Sequence, residues 1–507
     1  MIQTIIIRCD IFPGSGAGHI KRCSVLAQAL AAVGFNPVFA LDRDCGPLPI
    51  EVQFPIELVD GPFDLDGDAK AMKELARRLG ARIVLGDSYR ISEIWVKDLR
   101  SSGLDVVLID DLGVGGQATL RIDYSPKPKR LQGSAINLLG PSYFITDSPT
   151  LSDRATPAKS VMLHAGGTGN FAAADQVYRA AATVARDKGL DVTWLCPNKL
   201  ALAWLASSGL QTPSTKVISW QKWGNNLWSR YDIVVGPAST SLFEVILQGS
   251  LPVSFPISST QSAKREVWLQ LGHALHLEHT DVLSYEFAAT VVDLAIEAFG
   301  PLRSQLTTYS QRLDGQGVER VVAAIVKIID GKQPELADDA PPLAGIKACD
   351  LRDASKFLDA RNAPNVCALS TNSHHVISWP EHLRWWLAET TERFVVESDL
   401  GPEAFFWHRP KVVNSQSYLI GGWFPAGGHP AFAAAIRLLD WQLDYCAGRY
   451  PDHIWVATIN QENRAVLALN RRFGFVDADT NAREAVQQLF PGTSSEFVIL
   501  QRKAQLS

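Results

Sequence analysis

A histidine just inside a glycine-rich turn is the first feature of this chain that could do chemistry. Residues 4–8 read as a strand, and Asp10-Ile-Phe-Pro-Gly-Ser-Gly16-Ala-Gly18-His19-Ile-Lys-Arg22 carries that strand into a helix. Glycines at such a turn let the backbone approach a ligand closely, and the unpaired N–H groups at the helix start attract phosphate together with the positive end of the dipole. His19 stands in the first turn, where that dipole favours the neutral, proton-accepting ring. The structural alternative for His19 is a capping or packing histidine. The glycine spacing matches neither G-x-G-x-x-G nor G-x-x-x-x-G-K-[ST], so a nicotinamide-binding or kinase-type turn is not indicated. His273, His276 and His279 recur every three residues, but Gly272 and the alternation of Ala274, Leu275 and Leu277 indicate a strand, on which they would not share a face. No acidic cluster adjoins them, and no metal site is expected. The seven cysteines are scattered and never spaced C-x-x-C, which indicates reduced thiols in a cytoplasm.

Elements must exist to hold that turn. Strand patterns at 4–8, 37–41, 83–85 and 106–109 alternate with helical patterns at 20–33, 69–79 and 93–101, as in a parallel, doubly wound sheet. A Gly/Pro/Ser/Thr-rich passage at 140–159 interrupts the series. The alternation then restarts, with strands at 160–163, 192–195, 216–219, 233–235 and 251–254 and helices at 172–186, 200–206, 241–248 and 317–329. Residues 331–342 are polar, acidic and proline-bearing, and they read as a linker. Half of the 14 tryptophans follow it, and strand, helix and strand patterns at 454–458, 465–472 and 497–501 close a further α/β domain. The expected domains are 1–150, 151–330 and 343–507.

The 507 residues suit about three domains. A composition 46% hydrophobic and 20% charged supplies several cores, and a net charge of -5 without a long basic run offers no footprint for nucleic acid or a membrane surface. The first ten residues read as a strand and not as a signal peptide. No apolar run approaches the ~20 residues that span a bilayer, so the expected location is the cytoplasm.

Arg8-Cys-Asp10 followed by Gly16-Ala-Gly18-His19-Ile-Lys-Arg22 resembles the opening of the UDP-2,4-diacetamido-2,4,6-trideoxy-altropyranose hydrolases of pseudaminic acid synthesis. The resemblance continues at Asp87-Ser-Tyr89, Asp110-Asp111, Gly166-Gly167-Thr168, Pro237-Ala-Ser239-Thr240-Ser-Leu-Phe-Glu244, Gln261 and Asp314-Gly-Gln-Gly-Val-Glu-Arg320. It spans residues 1–330 and implies a GT-B fold, two Rossmann-like domains with the active site in the cleft between them. It further implies His19 as the base that activates water, with Arg8, Asp10, Gly16, Gly18, Arg22, Asp87 and Tyr89 around the sugar side. Gly166, Gly167, Thr168 and Gln261 would join the binding set, with Ser239 and Thr240 on the diphosphate and Glu244 on the ribose hydroxyls. Where the family reads G-G-[ST]-D this chain has Gly169, and where an arginine is usual it has Phe144-Ile-Thr146-Asp147, which implies an altered fit for the sugar.

Within 343–507, Arg361-Asn-Ala-Pro-Asn365 and Ile377-Ser-Trp-Pro-Glu381-His-Leu-Arg-Trp385 resemble the start of GNAT acyltransferases that modify amino-sugar nucleotides. Asn460-Gln-Glu-Asn463-Arg-Ala and Asn470-Arg-Arg-Phe-Gly474-Phe475 resemble that fold's late strand, helix and closing Gly-Phe. The resemblance implies acetyl-CoA as co-substrate, with Gly427, Gly428, Asn460 and Asn463 on its pantetheine or pyrophosphate arm. Pro430 removes a donor from the pyrophosphate loop, no Arg or Gln leads into it, and Asn470 stands where a tyrosine often acts as general acid. The implied function is inverting, metal-independent hydrolysis of a UDP-linked amino sugar, fused to an N-acetyltransferase-like domain. The alternatives are a GT-B glycosyltransferase using the same cleft and a non-catalytic sugar-nucleotide-binding protein.

Overall fold

A computed structural model describes residues 3–504, apart from 12–16, 47, 49, 61–66, 134, 149, 151–156, 214, 220–225, 259–260, 262, 333–344, 371–374, 389, 428–431, 492 and 494. Gly16, Gly428, Pro430 and positions 333–342 of the expected linker, named above, therefore lie outside the described residues. Two compact units divide the chain, residues 1–337 and 338–507.

The first unit opens with a seven-stranded sheet of β1 (Gln3–Cys9), β2 (Phe35–Asp42), β3 (Ile56–Val59), β4 (Ile83–Asp87), β5 (Asp105–Ile109), β6 (Leu120–Asp123) and β7 (Ile136–Leu139). All neighbours pair in parallel, in the order β3-β2-β1-β4-β5-β6-β7. Helices α1 (Gly18–Ala32), α2 (Gly67–Leu79) and α3 (Glu93–Ser101) connect the strands. Side chains alternate across a strand, so β1 sends Ile5, Ile7 and Cys9 into one core with α1 and sends Ile6 into another with α2 and α3. The second lobe repeats the plan with β8 (Ser160–His164), β9 (Asp191–Cys196), β10 (Lys216–Ser219), β11 (Ile233–Pro237) and β12 (Leu251–Phe255), parallel in the order β10-β9-β8-β11-β12. Its helices are α4 (Asp175–Asp187), α5 (Lys199–Ser207), α6 (Thr240–Leu247), α7 (Arg265–Trp268), α8 (Tyr285–Glu297) and α9 (Phe299–Tyr309). These are the two Rossmann-like lobes that a GT-B chain requires.

The following helix, α10 (Gly317–Ile329), returns to the first lobe, where Val318, Val321, Val322 and Ile325 join the core that holds Ile20 and Leu26. A Cβ on Gly317 would lie 2.1 Å from the Phe144 carbonyl oxygen, so only glycine lets the helix begin this close to that backbone. Arg320 then ties the helix down by donating from Nη1 to the Ser142 carbonyl at 2.9 Å.

In the first unit three strands and three helices go beyond the sequence reading: β3, β6, β7, α7, α8 and α9. In β6, Leu-Arg-Ile-Asp hides its period because Arg121 is itself buried, paired with Asp110 at 2.9 Å and Asp123 at 2.8 Å. The strand expected around 273–279 is reduced to a single bridge between Ser254 and His276. His273 and His276 lie 2.7 and 2.8 Å from the Ser254 hydroxyl, and burial pushes both imidazoles down, His276 to about 3.

The second unit is a mixed sheet, in the order β13-β14-β15-β16-β17-β19-β18. Its strands are β13 (Gly345–Ala348), β14 (Glu392–Ser398), β15 (Gly401–Val413), β16 (Gln416–Pro425), β17 (Ile454–Asn460), β18 (Val476–Asp477) and β19 (Phe497–Lys503). Its helices are α11 (Ala354–Arg361), α12 (Pro364–Ala368), α13 (Trp379–Trp386), α14 (Phe432–Arg449), α15 (Arg464–Arg472) and α16 (Thr480–Leu489). Leu438 and Leu443 of α14 pack with Phe406 and Leu419 on one face, and Ala482 and Val486 of α16 pack with Tyr418 and Ile420 on the other. The neighbours are antiparallel except β16 and β17, which run parallel through only Tyr418↔Ile454, Leu419↔Trp455 and Ile420↔Val456.

Candidate functional site

Each sheet of the first unit has one point where its winding reverses, between β1 and β4 in one lobe and between β8 and β11 in the other. Successive connections leave such a point toward opposite faces, which opens a crevice at the carboxyl ends of the strands. Residues from both crevices line one cleft of ≈ 1030 Å³.

In the first lobe, α1 brings His19 and Arg22 onto Asp87 at the end of β4. His19 Nδ1 lies 2.8 Å from Asp87 Oδ1, and Arg22 donates from Nε to Asp87 Oδ2 at 2.5 Å and from Nη2 to Oδ1. Burial would push the Asp87 carboxyl up, but Arg22 and His19 outweigh it and hold the group well below the usual carboxylate range. Nδ1 is also 2.8 Å from Arg22 Nη2, which can only donate, so carboxylate and guanidinium compete for it; where the ionised Asp87 carboxylate holds the Nδ1 proton, Nε2 is left as the basic nitrogen. Nε2 has no partner among the described residues, and His19 lines the cleft. Tyr89 stands edge-on to the imidazole, with ring centroids 5.0 Å apart. Arg22 also donates from Nη1 to the Tyr124 hydroxyl at 2.9 Å.

Arg8 corrects the sequence reading. Its side chain is 1% exposed and does not line the cleft. It donates to Asp68 at 2.6 Å, to Asp42 at 2.5 Å and to the Ala40 carbonyl at 3.2 Å, because a strand buried on both faces gives its guanidinium no way out. Asp42 passes this network to Arg90 at 2.7 Å, and Arg90 holds Asp10 at 2.6 Å. Asp10 and Arg90 both line the cleft, and Arg90 is a cation that sequence reasoning missed. Its only sequence signal was its place directly after Asp87-Ser-Tyr89.

The second lobe contributes Gly166, Gly167, Thr168, Ser239, Thr240, Glu244 and Gln261, all on the cleft. Ser239 precedes α6, whose first-turn N–H groups lack intrahelical partners. The starts of α1 and α6 meet there, since a Cβ on Gly18 would lie 3.3 Å from Thr240 Oγ1. Two positive helix ends therefore converge from opposite lobes, a setting that suits an anion. The Glu244 carboxylate accepts from Lys21 of the first lobe at 2.7 Å and from Trp228 Nε1 at 3.3 Å, with Thr146 at 3.4 Å. Gln261 spends its side-chain oxygen on the Ile257 N–H at 3.1 Å. Gly169 has φ +66°, and a Cβ there would meet Asn198 Oδ1 at 2.7 Å, so this turn has no room for the carboxylate of the compared family. His164, a cleft residue absent from the sequence reading, ends β8.

In the second unit, the positions expected to meet acetyl-CoA are spread over two connections. Gly427 follows β16 with nothing within 4 Å of a Cβ. Asn460 ends β17 and accepts from the Glu462 N–H at 2.9 Å, and Asn463 caps α15 by accepting from Val466 N–H at 3.3 Å. After Ile420 and Val456 the two parallel strands lose their pairing, and α14 and α15 both begin beyond the parted ends. Asn470 points its amide back to the Val466 carbonyl at 2.9 Å.

No protein-family model matches the chain, and no curated protein matches it. Among solved structures it is similar to Acinetobacter baumannii MurG, with 15% identity, a TM-score of 0.48 and coverage of 64% of this chain and 99% of that one. It is similar to the spinosyn rhamnosyltransferase SpnG, with 14% identity, a TM-score of 0.48 and coverage of 64% and 99%. It is also similar to S. aureus MnaA solved with UDP, with 11% identity, a TM-score of 0.49 and coverage of 66% and 100%.

Proposed function

We propose that the first unit hydrolyses a UDP-linked amino sugar, of the diacetamido-trideoxy class that the sequence resemblance implies, with inversion at the anomeric carbon. The observation that carries this reading is the His19–Asp87 pair, whose open Nε2 faces a cleft where two helix starts converge. His19 Nε2 takes a proton from water as the water oxygen bonds to the anomeric carbon. The bond from that carbon to the diphosphate oxygen breaks, and UDP leaves with the electron pair. Asp87, already bonded to Nδ1, stabilises the imidazolium that forms. The first turns of α1 and α6 meet the developing negative charge with fixed N–H dipoles. A Glu244 that binds ribose must exchange its Lys21 bond for the two hydroxyls.

The second unit is read as an N-acetyltransferase-like domain acting on the amino group of a related nucleotide sugar. What supports this is the parting of β16 and β17 with two helix starts beyond it.

Replacing His19 with Ala tests the first reading. Turnover of the preferred UDP-amino sugar, followed by mass spectrometry, should fall by about 10²–10⁴ while UDP affinity stays within about two-fold, because the base acts on water. Retained turnover removes His19 from the mechanism. Incorporation of a supplied acceptor alcohol in place of water moves the activity to glycosyl transfer.

A further inference from the structure

At the carboxyl end of β8, beside the switch point of the second sheet, stands a histidine that the reaction above does not use. His164 is 3% exposed and lines the cleft. The Gly166 N–H donates to its Nδ1 at 3.3 Å, so the ring proton resides on Nε2. The ring lies across Gly236, where a Cβ would come within 2.1 Å of Nε2, so only glycine leaves room for it. Trp228 packs on the imidazole at 4.9 Å and donates its own N–H to Glu244. Tyr178 faces the residue only through its hydroxyl, which donates to the His164 carbonyl at 2.7 Å. Burial pushes the imidazole down to about 3, so the ring is neutral at any physiological pH.

Nε2 has no hydrogen-bond partner among the described residues, and the residue that carries it lines the cleft. A desolvated N–H left unmet is costly, which makes an acceptor oxygen on a bound ligand its natural complement. Beside it on the cleft lie the backbone of Gly167 and Thr168 and the first turn of α6, whose N–H groups suit an anion. We infer that His164 donates Nε2–H to a phosphate oxygen of a bound nucleoside diphosphate, as a neutral donor of fixed tautomer. This rests on the reading that the cleft takes a nucleotide sugar.

The test is calorimetric titration of the full chain with UDP-N-acetylglucosamine, whose diphosphate diester carries no titrating proton near neutrality, and with uridine. His164→Phe removes the donor, and His164→Gln restores an N–H near the same place; circular dichroism checks that each variant is folded. His164→Phe is expected to weaken the diphosphate ligand about ten- to a hundred-fold and to leave uridine unchanged, with His164→Gln recovering most of the loss. The ratio of wild-type to His164→Phe affinity should be the same at about pH 5.5 and about pH 8. Equal affinity in wild type and His164→Phe, an equal loss for uridine, or a ratio several-fold larger at the lower pH each overturns the inference. Wild-type protein that binds neither ligand overturns the cleft reading itself, and the inference with it.

Discussion

Asp87→Asn keeps the side chain's size and removes its charge, so it separates what Asp87 does for folding from what it does for the base. The carboxylate is 1% exposed and is shared by His19 and by Arg22, itself 6% exposed. Taking it away leaves the guanidinium buried without its counter-charge, which costs about 3–5 kcal/mol. Against a typical total of ~5–15 kcal/mol the unit stays folded at room temperature, and melting should fall by about 6–20 °C. The pH dependence has a definite sign. The folded Asp87 titrates below the unfolded value of ~3.9, so its stabilisation is complete above about pH 5 and disappears as pH falls toward the folded value. Denaturant titrations of wild type and Asp87→Asn should therefore differ by the full amount at about pH 7, and the gap should narrow progressively only as pH falls below about 4 toward the folded value. Turnover should fall by about 10⁴, because the amide no longer enforces the tautomer that leaves Nε2 basic. A stability gap that does not change with pH, or turnover within about ten-fold of wild type, would refute the ion-paired His–Asp assignment.

Gly317→Ala should lower stability by about 1–3 kcal/mol by denaturant unfolding, since its Cβ meets the Phe144 carbonyl at 2.1 Å and α10 must shift away from the first lobe. Gly236→Ala should cost a similar amount and also weaken UDP-sugar binding by calorimetry, because the added methyl displaces the His164 ring. Acetyl-CoA titrated into the full chain should bind about ten-fold or more weakly than a pyrophosphate loop with its full donor set, given Pro430 and the lack of a leading Arg or Gln; low-micromolar binding would show that the loop is compensated.

Local pattern determined much of this protein. The strands and helices around the glycine turns were legible because they combine strong periodicity with clear breakers: α3 and α10 occur at 93–101 and 317–329, as the periodicity indicates. The short strands β3, β6 and β7 were not legible, since four residues that include a buried Arg121 carry no apolar period. His19 could be singled out because its turn, its position in the helix and its chemistry lie within a few consecutive residues. Its partner could not be found that way. Asp87 lies 68 residues away, and only the parallel pairing of β1 with β4 brings the two together. The fate of Arg8 was decided by the same means: beside a glycine-rich turn its charge suggests a ligand contact, but the sheet buries it against Asp68 and Asp42. His164 shows the limit most plainly. Nothing in the residues next to it distinguishes a packing ring from a donor, and its tautomer, its neutrality and its open Nε2 arise from Gly166, Gly236 and Trp228 closing around it in three dimensions.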